Sequence, residues 1–307
     1  MDRTNPYFRQ VELLVQALPV VARQDCFALK GGSAINLFVR DLPRLSVDID
    51  LAYLSRKPRE TALPAIARAL GGLEEDLRAS MRGITVQSTN QMRTDSQRLT
   101  VSAGDTRIKI ELSPVLRGTV WEPEVQSVRP VVEESFGYSE NLIVSKYDLY
   151  AGKICAALDR QHPRDLFDVM LLLDEESLDR DLFRTFLVYL ISHRRPIAEL
   201  LSPARKDISA IFESEFQNMT IEPVSLEELL AARERLVGEL RRSITEQDRQ
   251  FLLSVKGQSP DWSLLGLPGV ENLPAVQWKL LNLGRMAADK HRAAMENLEA
   301  VLQAPSW

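Results

Sequence analysis

Two aspartates one residue apart, Asp48 and Asp50, stand in the run "SVDIDLAYL", with "KGGSA" shortly before it. Alternate side chains of a strand share a face, so both carboxylates point one way while Val47, Ile49 and Leu51 point into the core. Like charges so placed repel unless a cation lies between them, and oxygen-only ligands suit magnesium. A solvated strand face is the other meaning of such a pair. Upstream, Gly31 and Gly32 allow a tight turn and close approach of the backbone to a ligand. Ser33 then opens the helix "AINLF", whose first N–H groups and dipole favour phosphate; an ordinary Ser N-cap after a Gly turn is spelled the same way. Cradle and acid pair, one helix apart, together suggest a site for a metal-bound nucleoside triphosphate. A third acid comes from "TRIKIELSP", where Ile108, Ile110 and Leu112 face inward and Arg107, Lys109 and Glu111 share the polar face. Three carboxylates can hold two metals about 3.5–4 Å apart, one activating a hydroxyl and one steadying a triphosphate.

Several elements must position these groups. Helical periodicity runs from Pro6 to Arg23, with Val11, Leu14, Val15 and Leu18 on one face. "CFALKGG" reads as a strand ended by glycines, "SAINLFVRDL" as a short helix and "SVDIDLAYL" as a strand. "RETALPAIARALGGLEEDLRASMRG" reads as a long helix broken near Gly71 and Gly72. "ITVQSTN", "QRLTVSA" and "TRIKIELSP" are successive strands, the last two joined by Gly-Asp turn chemistry, and "VVEESFG" is strand then turn. From Ser145 the strands give way to segments of helical period. An α/β N-terminal half and an α-helical C-terminal half, parting near Asn141, are therefore expected.

The bulk numbers narrow the classes. At 307 residues and 45% apolar content the chain can bury a sizeable core, as two domains rather than one. A net charge of -5 argues against a protein that coats nucleic acid, while leaving room for a local basic groove. Cys26 and Cys155 lack CxxC spacing and read as small core residues of a reducing compartment. His162, His193 and His291 share no metal-ligand spacing, so zinc chemistry is not expected. "MDRTNPYFRQVELLVQAL" has no apolar signal-peptide core, and no run approaches the roughly 18 apolar residues of a membrane span. The expectation is a cytoplasmic protein with no membrane partner.

Gly-Ser, a short helix, two acids flanking an apolar residue and a later strand acid resemble the DNA polymerase β-like nucleotidyltransferases. Within that superfamily, "LKGGSAINLF" and "LPRLSVDIDLAYL" with "AGKICAALDRQHPRDLFDVMLLL" are similar to the AbiEii/AbiGii toxin family, which includes the MenT-like toxins. "FLLSVKGQSPDWSLLGL" and "LPAVQWKLLNL" resemble segments of its longer members, so the likeness touches nearly the whole chain. The 14 residues between Ser33 and Asp48 exceed the superfamily's usual spacing. The excess coincides with "DLPRLS", which resembles the AbiEii pattern.

This resemblance implies an α+β protein. A polymerase-β-like nucleotidyltransferase domain with a mixed sheet would span residues 1–140. A helical domain over 141–307 would complete the active site and contact acceptor or antitoxin. Gly32 and Ser33 would hold phosphates. Asp48, Asp50 and Glu111 would bind Mg2+ or Mn2+. Lys153 would meet the triphosphate as a point charge, with Lys146, two helical turns earlier, as the alternative. Asp165 in "PRDLFD" would lie close to the active site, with Asp168 at i+3, although an acid in a first helical turn is favourable anyway. Arg44 and Ser46 would touch the nucleotide or hold a turn.

The implied reaction moves NMP from an NTP to an RNA acceptor, foremost a tRNA 3′ end, releasing pyrophosphate. It would belong to a type IV-like or related toxin–antitoxin or abortive-infection system with a cognate antitoxin. Arg194, Arg195, Arg205 and Lys206 would grip RNA phosphates or simply solvate helix ends. Two alternatives stay open: a nucleotidyltransferase that modifies a protein or small molecule, and a GTP-binding regulatory protein that transfers nothing.

Overall fold

The computed structural model describes residues 5–89 and 97–304. Residues 1–4 of the N-terminal stretch, and Asn90 at the end of "ITVQSTN", lie outside the described residues. The chain divides into two compact units: Met1–Leu149 with Gln217–Pro223, and Tyr150–Phe216 with Val224–Trp307. Among the described residues no helix is long and apolar enough to cross a membrane.

Period-2 patterning builds the first unit. Among the described residues its strands are β1 (Phe27–Lys30), β2 (Asp48–Tyr53), β3 (Ile84–Thr89), β4 (Gln97–Ala103), β5 (Thr106–Arg117), β6 (Glu124–Ser127) and β7 (Glu140–Ile143). They form one mixed sheet in the order β3-β4-β5-β2-β1-β7-β6. β2 runs parallel to β5 and β1 parallel to β7, while the other neighbours are antiparallel. Ile49, Leu51, Leu99, Val101, Ile108, Ile110 and Leu112 are buried. Helix α1 (Pro6–Val21) packs on β5 and β7 with Val11, Leu14, Val15 and Leu18 buried, and α3 (Arg59–Ser80) packs on β3. Each such side chain contributes about 1.5–3 kcal/mol by leaving water. The apolar face therefore carries the stability, and the other face is left to hold charge. Gly104, at φ +56°, starts the two-residue β4–β5 turn that the Gly-Asp pair announces.

Three local expectations are corrected. Helix α3 is continuous through Gly71 and Gly72, because Ala62, Ile66, Leu70, Leu73 and Leu77 bury one face on both sides of the pair. "VVEESFG" is not a strand: it lies in helix α4 (Pro130–Phe136), with Pro130 in the first turn, where its missing N–H costs nothing. Gly137, at φ 102°, ends that helix. The helix after β1 begins at the glycines themselves, as α2 (Gly31–Ala34), and continues as a π-turn over Ile35–Val39.

Helix α5 (Lys146–Arg160) carries the chain into the second unit. There follow α6 (Pro163–Glu175), α7 (Arg180–Ser192), α8 (Ile197–Leu201), α9 (Ser209–Glu215), α10 (Leu226–Ser243), α11 (Glu246–Lys256), α12 (Pro274–Gly284) and α13 (Ala288–Gln303). Helix α6 packs on α10, α7 on α12, and α13 on α8 and α11. Capping boxes at Ser225 with Glu228 and Thr245 with Asp248 start α10 and α11.

Because α3 is unbroken, its glycines are a cost. A Cβ at Gly71 would meet nothing within 4 Å, and one at Gly72 only Gln24 Nε2 at 3.9 Å. Gly71→Ala and Gly72→Ala should each raise unfolding stability by roughly 0.5–1 kcal/mol in urea titrations. A loss of stability in either would mean that the helix needs glycine there.

Candidate active site

Strand register places the acids. β2 and β5 pair Asp48 with Lys109 and Asp50 with Glu111. β1 adds Lys30 opposite Asp50, and β4 adds Arg98 opposite Glu111. One row across the sheet thus reads Arg98, Glu111, Asp50, Lys30, two carboxylates flanked by two cations. Arg98 Nη2 pairs with Glu111 Oε1 at 2.6 Å. Asp48 and Asp50 are half-buried, with Ile49 and Leu51 buried on the other face.

The glycines upstream are explained by what lies on them. Gly31 has φ +72°, and a Cβ there would collide with Asp50 Oδ2. A Cβ on Gly32 would stand 2.6 Å from Arg44 Nη2 and 3.1 Å from Ser46 Oγ. Arg44 is fully buried, and its Nη1 donates to Leu45 O at 2.9 Å. Ser33 is buried too; its Oγ donates to the Asp48 carbonyl and shares a hydrogen bond with Ser46 Oγ at 3.0 Å. Thus Gly32, Ser33, Arg44, Asp48 and Asp50 come together within the first unit, with Glu111 beside Asp50.

Lys153 and Asp165 meet in the second unit. Lys153, 7% exposed, donates to Asp165 Oδ1 at 2.8 Å and lies 3.0 Å from Asp168 Oδ2. Arg160 Nη2 reaches Asp165 Oδ2 at 2.7 Å. Asp165 sits in the first turn of α6, but the cap is His162, whose ring nitrogen accepts from Arg164 N. Burial alone would raise the Asp165 pKa. The charges of Lys153 and Arg160 and the Lys153 hydrogen bond outweigh it and hold the carboxyl at about 2. Lys146, at the start of α5, is exposed.

Among the described residues, no three His, Cys, Asp or Glu side chains stand together so as to hold a metal by themselves. A pair of carboxylates fits magnesium nonetheless, since that ion keeps several waters and is bound through one or two carboxylates plus substrate phosphates. Of the basic residues, Arg195 pairs with Asp159 and with Glu199 at 3.6 Å, and Arg205 with Glu234 at 2.6 Å. Lys206 donates to the Asp159 carbonyl at 2.8 Å. Arg194 is 81% exposed. Sequence reasoning missed the segment Gln217–Pro223, which returns to the first unit. Met219 O accepts from Leu45 N, and Ile221 N donates to Pro43 O. Three paired residues carry too little periodicity to be seen in sequence.

The family model "Nucleotidyl transferase AbiEii toxin, Type IV TA system" matches residues 12–282. The chain belongs to the AbiEii nucleotidyltransferase toxin family, enzymes of type IV toxin–antitoxin systems. Among solved structures its fold is similar to that of MenT4, a nucleotidyltransferase toxin from Mycobacterium tuberculosis H37Rv. The TM-score is 0.59 at 14% identity, with 97% of this chain and 94% of that chain covered. At that identity the likeness carries the fold alone. No curated protein matches the chain.

The depressed pKa of Asp165 sets a pH test. Its folded value lies below the unfolded value of about 3.9. The pairing therefore stabilises the fold above about pH 4, and this contribution is lost as pH falls through about 2. Asp165→Asn should cost about 3 kcal/mol near neutral pH, and the gap to wild type should narrow between about pH 4 and 2. A gap that stays constant across that range would contradict the pairing.

Proposed function

We propose that this enzyme transfers a nucleoside monophosphate from an NTP to the 3′ hydroxyl of an RNA, foremost a tRNA 3′ end. The observation that carries the reading is the close approach of the Asp50 carboxylate to the glycine turn at Gly31, with Asp48 two residues earlier on the same face of β2 and Arg44 against Gly32. Backbone N–H groups there suit phosphate oxygens. Ser33, with its hydroxyl turned to the Asp48 carbonyl, serves through its backbone and by holding β2 in place. Asp48 and Asp50 would hold Mg2+ or Mn2+, and Glu111 would join them by exchanging Arg98 for the ion. The cation supplies activation of the acceptor hydroxyl and neutralisation of phosphate charge.

The acceptor oxygen bonds to the α-phosphorus, the α–β bridging P–O bond breaks, and pyrophosphate leaves. The acceptor proton passes to a carboxylate of this face. Arg44 orients the nucleotide from beside Gly32. The protein's part is positioning and charge, not covalent chemistry. A second reading, transfer to a protein or small molecule, is favoured by one observation. Arg195, Arg205 and Lys206 are already engaged within the second unit, which thins the surface available for gripping RNA.

Labelled NTPs offered to purified RNA, protein and small-molecule fractions should put label into RNA, and EDTA should abolish the transfer. Label in another fraction favours the second reading, and bound but unreacted NTP would argue for a regulatory protein. Asp50→Ala should cut transfer by at least about a hundredfold with an unchanged or slightly raised thermal midpoint, since no buried apolar contact is lost. Near-normal transfer by that variant would reduce the DID run to a solvated strand. A family of this kind implies a cognate antitoxin, so expression should arrest growth and the antitoxin should relieve it.

A further inference from the structure

The chain leaves the second unit after Phe216, passes through the first as Gln217–Pro223, and returns at Val224. There it pairs antiparallel with the loop that precedes β2. Arg44 bridges to Thr220, Leu45 N donates to Met219 O at 2.8 Å, and Ile221 N donates to Pro43 O at 3.0 Å. Met219 is buried and anchors the strap, while the Ile221 side chain is exposed. Two residues on this line hold left-handed backbones that side chains rarely adopt. They are Leu42 at φ 52°, fully buried, and Asn218 at φ 67°. Such strain persists only where surrounding structure over-determines it. A short line of contacts leads from the strap to the acids. The fixed backbone at residues 43–45 sets Arg44 against Gly32. Ser46 meets Ser33, and Ser33 donates to the Asp48 carbonyl.

We infer that the strap Gln217–Pro223 is a positioning element of the transfer site, acting through Arg44 and Ser46 to hold Asp48 in register with the glycine turn. The inference rests on the reading that Asp48 and Asp50 form that site. It gives the residues between α9 and α10 a role in turnover that their distance in sequence conceals. Displacing a reacting group by a fraction of an ångström is enough to slow transfer, so the strap's two hydrogen bonds matter more for rate than for stability.

Ile221→Pro deletes the donor to Pro43 O and no buried side chain, and Ile221→Ala keeps the donor. With the label-transfer assay, Ile221→Pro should lower kcat on the order of tenfold and the thermal midpoint by only about 2–4 °C. Ile221→Ala should match wild type. In an Arg44→Met background the proline should cost less than about twofold more, because the two act along one line. Wild-type kcat in Ile221→Pro, or the full tenfold loss again in Arg44→Met, would overturn the proposal. If Ile221→Pro does not fold, Asn218→Val strains the left-handed turn and Asn218→Gly preserves it. Only the valine should lose kcat; equal kcat in the two would likewise overturn it. Each comparison is made against wild-type turnover, so an inactive wild type would count against the proposed reaction and not against the strap.

Discussion

The Asp50 carboxylate lies so close to Gly31 that no other residue can stand there, and the rest of the first unit is arranged around that contact. It sets the turn after β1 close against the polar face of β2. Gly31 there holds a left-handed backbone conformation that glycine adopts without strain. At Gly32 the backbone is ordinary, and it is the Arg44 guanidinium that occupies the space a side chain would need. Both glycines forgo stability, and in return the backbone and the carboxylates share one small region. Parallel pairing of β2 with β5 then brings Glu111 beside Asp50, and Arg98 and Lys30 offset part of the repulsion along the row.

The second unit poses a different balance. Lys153 and Asp165 are buried together, and desolvating two charges costs several kcal/mol each before their attraction returns anything. Apolar residues of similar volume would hold such a core equally well, so packing alone does not account for the pair. Lys153 and Arg160 keep Asp165 ionised, and Asp168, also paired with Lys153, completes the charge balance.

Where the physics is local and periodic, the sequence was readable. Alternation alone puts Asp48, Asp50 and Glu111 opposite the buried Ile49, Leu51, Ile108 and Ile110, and the Gly-Asp turn is where its chemistry requires. Local cues misled where packing overrode them. Gly71 and Gly72 promised a break, yet the apolar stripe of α3 runs past them. Val131 and Val132 suggested a strand, yet Pro130 and Gly137 bound a helix. The Arg44 bridge to Thr220 was not legible at all, because a three-residue pairing between distant segments leaves no period. The collision that excludes side chains from Gly31 and Gly32 is a tertiary fact, and a sequence shows only the glycines.

In the proposed reaction the Asp48–Asp50 face and the Gly31 turn form one nucleotide and metal site. A crystal structure with Mn2+ and a non-hydrolysable NTP tests it most directly through the anomalous signal of the ion. The account requires a manganese peak bonded to Asp48 and Asp50, with the triphosphate on the backbone of Gly31 and Gly32. A nucleotide bound elsewhere, with both carboxylates free of metal, would contradict it.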